Sequence, residues 1–332
     1  MSLQLKCAVC KQPTTLFNYG VISCNACKMF YRRALTSPNF PTECAYSGGN
    51  CSNCRYCRYQ KCVTAGMKWN SPTKKMPDLS EILNQLKYLD SHRSQTVMNL
   101  TTNDNFGLND IISSRAIVKY TEKPEEFNPG FYEWAMMYQT TSIDCHFEFA
   151  KDLDDSDLKI FIKSAYLPYL MFCNAMRCFI ARQEYSDFPG GVDVYPDEIK
   201  RMFSGSPEVL NQNKTFLVAR LINLKITESE FLLLSAVFIC NPATSNLSQS
   251  AQTFIANHQN IYTSALLQYC MNTYQKCGPS RFADLISLFH PINEAYQKFG
   301  KVLILFKMHH PDVELKKIFM DLIDLVMIRM NL

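Results

Sequence analysis

Apolar residues return every three to four positions through most of this chain, and each run of that period marks out a helix. Asn128 and Pro129, read as an N-cap and a first-turn proline, introduce a run with Phe131, Trp134, Ala135, Tyr138, Cys145 and Phe149 at helical spacing. Further periodic segments are expected at 155–182, 206–224, 227–240, 247–276, 280–308 and 312–329, separated by Pro189-Gly190-Gly191, Pro242, Gly278-Pro279 and Pro311. Pro168 lies inside the first of these and should kink it. Strand-like alternation does not compete, apart from a minor hairpin at 192–195. Upstream, Asp78-x2-Glu81 reads as a capping box that opens a helix with Leu79, Ile82, Leu83 and Leu86 on one face. That helix should fade near Ser94, with a Thr- and Asn-rich loop over 95–109 and a short helix over 111–120 behind it.

Residues 1–77 break the pattern. They predict only a short extended piece at 19–22, a helix beginning at Cys24 and a second one over 54–65 that ends near Gly66, a natural helix stop. Nine of the fifteen cysteines fall between Cys7 and Cys62, with no histidine among them. Cys7-x2-Cys10 and Cys24-x2-Cys27 offer four thiolates in two tight pairs, a donor set that suits one tetrahedral Zn²⁺. A disulfide framework is the alternative; no secretory leader precedes the cysteines, and in a reducing compartment such a density points to metal.

Charge follows the same division. Residues 1–77 carry eleven Lys and Arg against Glu43 alone, a net +10 in a chain whose total is +4, so the remainder is acidic. A basic module is the electrostatic footprint of a nucleic-acid binder; a generally solvated basic surface is the plainer reading. The 332 residues, 47% hydrophobic and 19% charged, fit this small module plus one larger domain with a substantial core. No apolar run approaches the roughly 20 residues a bilayer crossing needs, and 231–240 reads as a buried core helix. Lys74-Lys75, in a Pro-bounded hinge, is too short to argue for phosphate contact or nuclear import.

The stretch Tyr19-Gly20-Val21-Ile22-Ser23-Cys24-Asn25-Ala26-Cys27-Lys28-Met29-Phe30-Tyr31-Arg32-Arg33, with Cys54-Arg55-Tyr56-Cys57-Arg58-Tyr59-Gln60-Lys61-Cys62 and Gly66-Met67, resembles the DNA-binding domain of nuclear hormone receptors. LIM-like and GATA-like fingers share the four cysteines but do not require the Lys-x-Phe-Tyr-Arg-Arg that follows them. The resemblance implies a recognition helix from Cys24 in the major groove of double-stranded DNA, with Asn25, Ala26, Lys28 and Met29 nearest the bases and Arg32 and Arg33 toward bases or phosphates. Arg55, Arg58 and Lys61 on the second helix join the implied DNA-binding set. It also implies a second zinc held by Cys44, Cys51, Cys54 and Cys57, with Cys62 a buried structural cysteine or a substitute ligand. The second finger is about seven residues shorter than the family pattern, which affects its metal geometry and removes loops that build the dimer contact on DNA. The run Cys51-x2-Cys54-x2-Cys57-x4-Cys62 also approaches a ferredoxin spacing, but its last interval is one residue long and no proline follows.

The helical remainder resembles the ligand-binding domain of the same receptors, in particular their divergent nematode branch. The implied fold is a small zinc-nucleated α module, a receptor-type double zinc finger with its second finger shortened, over 1–67; a hinge and connecting segment over 68–127; and an all-α ligand-binding-type domain over 128–332. Phe149-Ala150-Lys151 resembles the end of the family's third helix, and Asp157-Leu158-x4-Lys163 the segment after it. Met136, Met137, Met171, Phe172, Cys173 and Met176 are candidates for an apolar ligand pocket, although such side chains are more often simply core. Residues 315–323 resemble the activation helix, in which Phe319, Asp321 and Leu322 would dock transcriptional coregulators opposite Lys151 or Lys163.

The implied protein is a nuclear transcription factor that binds specific DNA, recruits coregulators and answers to a small apolar ligand. Its rival is a receptor-like interaction protein that no longer binds specific DNA. An enzyme is not expected: no nucleophile, base and orienting residue stand at recognisable spacing, no phosphate loop is present, and His309-His310 reads as a surface turn.

Overall fold

The chain folds as two units, Met1–Met76 and Pro77–Leu332. The computed structural model describes residues 6–14, 17–37, 40–44, 54–67, 78–102, 105–114, 118–150, 152–311 and 316–329.

In the first unit β1 (Phe17–Asn18) pairs antiparallel with β2 (Val21–Ile22). Tyr19 (φ 54°) and Gly20 (φ 87°) make the two-residue turn, both in the left-handed region that a tight hairpin demands. α1 (Asn25–Thr36) and α2 (Arg55–Thr64) each begin one residue after a cysteine, because Cys24 and Cys54 hold the extended backbone of N-caps. α2 stops where Gly66 turns to φ 91° and the Met67 N–H reaches back to the Cys62 carbonyl at 3.0 Å. Buried Tyr31, Cys62 and Met67 form the module's small core. Tyr31 stacks on Tyr59 at 5.8 Å and donates its hydroxyl to the Met67 carbonyl at 2.9 Å.

The second unit is helical throughout its core. Its elements are α3 (Leu79–Asn99), β3 (Leu100–Thr101), α4 (Leu108–Ser114), β4 (Thr121–Glu122), α5 (Phe131–Ala150), α6 (Asp155–Ile180), β5 (Asp187–Phe188), β6 (Val192–Asp193), α7 (Asp197–Met202), α8 (Pro207–Leu224), α9 (Glu228–Ile239), α10 (Gln249–Tyr274), α11 (Gly278–Ser287), α12 (Phe289–His309) and α13 (Lys317–Arg329). β3 pairs with β4 and β5 with β6, both antiparallel.

α6 is the inner helix, in contact with α4, α5, α8, α9 and α12. Leu158, Phe161, Ile162, Tyr166, Phe172 and Cys178 are all at most 1% exposed along its 26 residues, and it runs through Pro168 unbroken. α9 is apolar nearly all round, as a helix covered on every side must be: Phe231, Leu232, Leu233 and Leu234 are consecutive and buried. Polar groups tie the framework at its corners. Asp157, on the first turn of α6, accepts from the N–H and hydroxyl of Ser248, the N-cap of α10. Arg177, near the end of α6, binds the Asp187 carbonyl and its carboxylate, the latter at 3.0 Å, and so holds the β5–β6 hairpin.

Several expectations need correcting. The capping box at Asp78 and Glu81 is present, but α3 continues past Ser94 to Asn99 because Thr96 and Val97 turn another apolar face inward. Instead of a loop over 95–109 and a helix over 111–120, the chain forms β3 and then α4, which starts at Leu108. The segment 280–308 is two helices, α11 and α12, meeting at Leu288. Asn128-Pro129 precedes α5 by two residues rather than opening it.

Candidate functional sites

The Cys7–Cys10 knuckle is built by the backbone. The Cys7 N–H donates to the Gln12 carbonyl at 2.8 Å, the Lys11 N–H returns to the Cys7 carbonyl at 2.9 Å, and Ala8 N–H bonds the Ile22 carbonyl at 2.8 Å, fastening the knuckle to β2. Cys24 leaves the same strand as the cap of α1 and Cys27 lies in its first turn. The sulfurs of Cys7, Cys10, Cys24 and Cys27 all lie within 4.8 Å of one another, and Cys10 and Cys24 are 3.5 Å apart. A tetrahedron with Zn–S of about 2.3 Å has an edge of about 3.8 Å, so the four thiols fit a single zinc. Burial alone would raise the Cys7 thiol, but N–H groups of Cys10, Cys24 and Val9 direct hydrogen bonds to it and bring it down to about 6, whereas burial leaves the Cys10 and Cys27 thiols raised.

α2 repeats the device. Cys54 is its cap and Cys57 lies one turn in; with Cys44 their sulfurs again lie within 4.8 Å, Cys57 and Cys44 at 3.4 Å. Cys51, the fourth expected ligand, lies outside the described residues. Cys62 belongs to neither group: it is fully buried between Tyr31 and Met67, and burial pushes its thiol up to about 11. Three thiolates with a cap-and-turn pair suit zinc as the first set does.

The helical unit holds a partly open cavity of about 110 Å³. Phe131 and Tyr138 of α5, Met171 of α6, Tyr195 beside the β5–β6 hairpin and Phe319 of α13 are among its walls. Phe319 packs edge-on against Tyr132, another of the lining residues, at 5.8 Å. Gln139 also faces the cavity, and its Oε1 is buried with no hydrogen-bond partner among the described residues.

Two family models match this chain. Residues 5–69 match the double treble clef zinc finger of C4 type, and residues 130–309 match the ligand-binding domain of nuclear hormone receptor. The chain belongs to the nuclear hormone receptor family. Among its relatives in Caenorhabditis elegans, nuclear hormone receptor family member nhr-27 is 35% identical, the alignment covering 96% of this chain and 92% of that protein. Nuclear hormone receptor family member nhr-9 is 33% identical, with 97% of each chain covered, and nhr-167 is also 33% identical, over 96% of this chain and 97% of its own length. Zinc is accordingly the receptor's cofactor, with Cys7, Cys10, Cys24 and Cys27 as one ligand set and Cys44, Cys54 and Cys57 in the other.

On the receptor's α1, the inward face is Cys27, Tyr31 and Ala34, while Asn25, Ala26, Met29, Arg32 and Arg33 are exposed and Lys28 is half-buried beside them. Arg55 and Lys61 of α2 are also exposed. Arg58 is placed differently. It is half-buried, and its guanidinium lies 4.4 Å from the centre of the Phe30 ring and 3.9 Å from the Cys27 sulfur.

The coregulator set divides as well. Lys151 lies outside the described residues, and Lys163 is half-buried on α6. Phe319 and Leu322 point inward, as cavity wall. Asp321 is half-buried and accepts from the Leu108 N–H. Of the six residues considered for a ligand pocket, Met171 lines the cavity; Met136, Met137, Phe172, Cys173 and Met176 are buried core outside it. Gln139 was not visible as a site residue, because its position in the α5 period differs in no way from that of a core residue.

Within the receptor's helical unit, no helix among the described residues is long and apolar enough to cross a membrane. One fully buried carboxylate there is paired with an arginine. Glu230 closes the capping box with Thr227 at the start of α9 and receives Arg281 through two contacts of 2.7 Å. Burial would raise this carboxyl, but Arg281 and the Thr227 N–H hold it below its ordinary value.

Proposed function

We propose that this receptor is a sequence-specific DNA-binding transcription factor of the nucleus, whose helical domain engages coregulators through α13 under the influence of a small apolar ligand. The observation that carries the first part is the exposed face of α1. A helix set against a four-thiolate cluster at its first turn, presenting Asn25, Lys28, Arg32 and Arg33 away from its core, has the form that enters a major groove and donates to base edges and phosphates. Net charge of +10 over residues 1–77 attracts the duplex. The shortened second finger favours one chain on one half-site.

The cavity supports the ligand reading and limits it. At about 110 Å³ it is well below the roughly 300–1,000 Å³ of sites for drug-sized molecules, so it suits a small apolar compound. The vacant Gln139 Oε1 favours one with a hydroxyl or N–H donor. Of the two acidic residues of α13, Asp321 and Asp324, Asp321 is the one that would meet the N–H groups of a partner helix, with Lys151 or Lys163 at its other end.

The receptor is tested in a cell-based reporter under a binding site selected for it. Cys24→Ser should abolish its effect on the reporter by dismantling the first zinc site. Asp321→Ala should reduce coregulator-dependent output about tenfold, the loss of one charge-assisted contact of about 1.5–3 kcal/mol. Output unchanged by Cys24→Ser sinks the DNA-binding reading, and output unchanged by Asp321→Ala sinks the coregulator reading.

A further inference from the structure

Two helices far apart in the chain cap each other. A helix opens with backbone N–H groups that no carbonyl of its own accepts. α4 follows Gly107, which has no side chain to accept them; Asp110 instead turns back to the Gly107 N–H at 3.0 Å, and the Leu108 N–H donates to Asp321 Oδ2 of α13 at 2.5 Å, 213 residues away. In return the N–H of Lys317, the first residue of α13, donates to Asn105 Oδ1 at 2.9 Å, and Lys317 Nζ lies 3.9 Å from the Asp110 carboxylate. Leu108, Ile111 and Ile112 are at most 1% exposed. Their spacing sets all three on one face of α4, which contacts α6 and α13.

Seven residues are too few to hold a helix in water, where isolated helices under about 12–15 residues are marginal. α4 is therefore helical because it is docked. Its docking takes up the carboxylate that the coregulator reading assigns to a partner.

We propose that residues 105–112 are an internal occupant of the surface on α13 and α6 at which a partner protein docks a short amphipathic helix, and that the partner binds by displacing them. This rests on the coregulator reading above. The occupant specifies the partner's chemistry: a helix with apolar residues at its first, fourth and fifth positions, whose leading N–H meets Asp321. Both helices cannot use one carboxylate and one apolar floor, so the two states exclude each other. A tethered segment acts at an effective concentration of about millimolar, which lowers the partner's apparent affinity by the fraction of time the surface is covered.

The test uses the full chain and a fluorescein-labelled peptide of residues 105–114 as probe. Gly107→Ala is the releasing substitution. Its Cβ would stand 2.6 Å from Asp321 Oδ2, pushing the carboxylate off Leu108 while leaving the buried side chains of α4 unchanged. Ile112→Ser, which removes one apolar anchor, is the second. The peptide should bind either variant at least tenfold more tightly than the parent chain, and adding Asp321→Ala should abolish the gain. Two folded variants, confirmed by circular dichroism, that bind the peptide no more tightly than the parent would overturn the proposal. Reporter output separates the two layers. A response to Asp321→Ala with none to Gly107→Ala overturns the internal occupant and leaves the coregulator reading standing; a response to neither overturns both.

Discussion

Lys28 and Arg58 carry the same charge on adjoining helices, and removing each should have a different consequence. Lys28 lies on the outward side of α1, so Lys28→Ala should relax preference at one base position and weaken specific binding by about 1–3 kcal/mol, measured by competition between site variants. Arg58 lies over the Phe30 ring and reaches the Cys27 sulfur. Arg58→Ala should lower the module's melting temperature through a lost cation–π contact of about 0.5–2 kcal/mol, and weaken binding to all sequences alike. A change in base preference from Arg58→Ala would show that it reads DNA directly. The two arginines of α2 look equivalent in sequence, since both follow a cysteine; packing separates them, with exposed Arg55 5.2 Å from the centre of the Phe40 ring and half-buried Arg58 over Phe30. Asp321 shows the same limit. Its place on the last amphipathic helix was legible, but its partner is a backbone N–H in a segment that sequence reads as loop.

At the level of elements, the legible parts were those whose signal is local. The helix starts at Cys24 and Cys54 were legible through the resemblance to the receptor zinc finger, since the same spacing at Cys7 and Cys10 opens no helix, and Asp78 and Glu81 because a capping box spans four residues. α4 was misplaced because its seven residues have weak local preference and are held by α6 and α13 from outside. The α9 box was equally readable, but its link to Arg281 was not, since that contact spans 51 residues. Glu230 is completely buried, so Arg281→Met should cost about 3–5 kcal/mol by leaving its charge unpaired, measured by urea denaturation. Its pKa is lowered in the fold, so its contribution to stability is complete above the unfolded value near 4.5 and is lost as pH falls through the lower folded value. Stability of Glu230→Gln should therefore converge on that of the parent as the solution is acidified below 4.5. A gap that stays constant across that range would mean that the carboxylate is not what the pair contributes.

Taken whole, the chain joins a module organised by metal to one organised by apolar burial, and the two should respond to different insults. Structural zinc binding is coupled to folding by roughly 10–16 kcal/mol per site. Chelation should therefore unfold residues 1–76 while most of the helical signal of residues 77–332 remains, with native mass spectrometry counting two Zn²⁺ per chain beforehand. One Zn²⁺ would show that the shortened second finger no longer holds metal. The order of a cysteine-rich module and then a helical domain was legible because cysteine content and hydrophobic period differ between the two, whereas the cavity, assembled from several elements, was not. The central claim is that the basic module reads DNA sequence. It is tested most directly by selecting bound molecules from a random duplex pool with the zinc-loaded full chain. One short motif, bound by a single chain and losing definition at one position in Lys28→Ala, is the expected result; a fully metallated protein that enriches no motif would contradict the account and favour a receptor-like protein that works through partners alone.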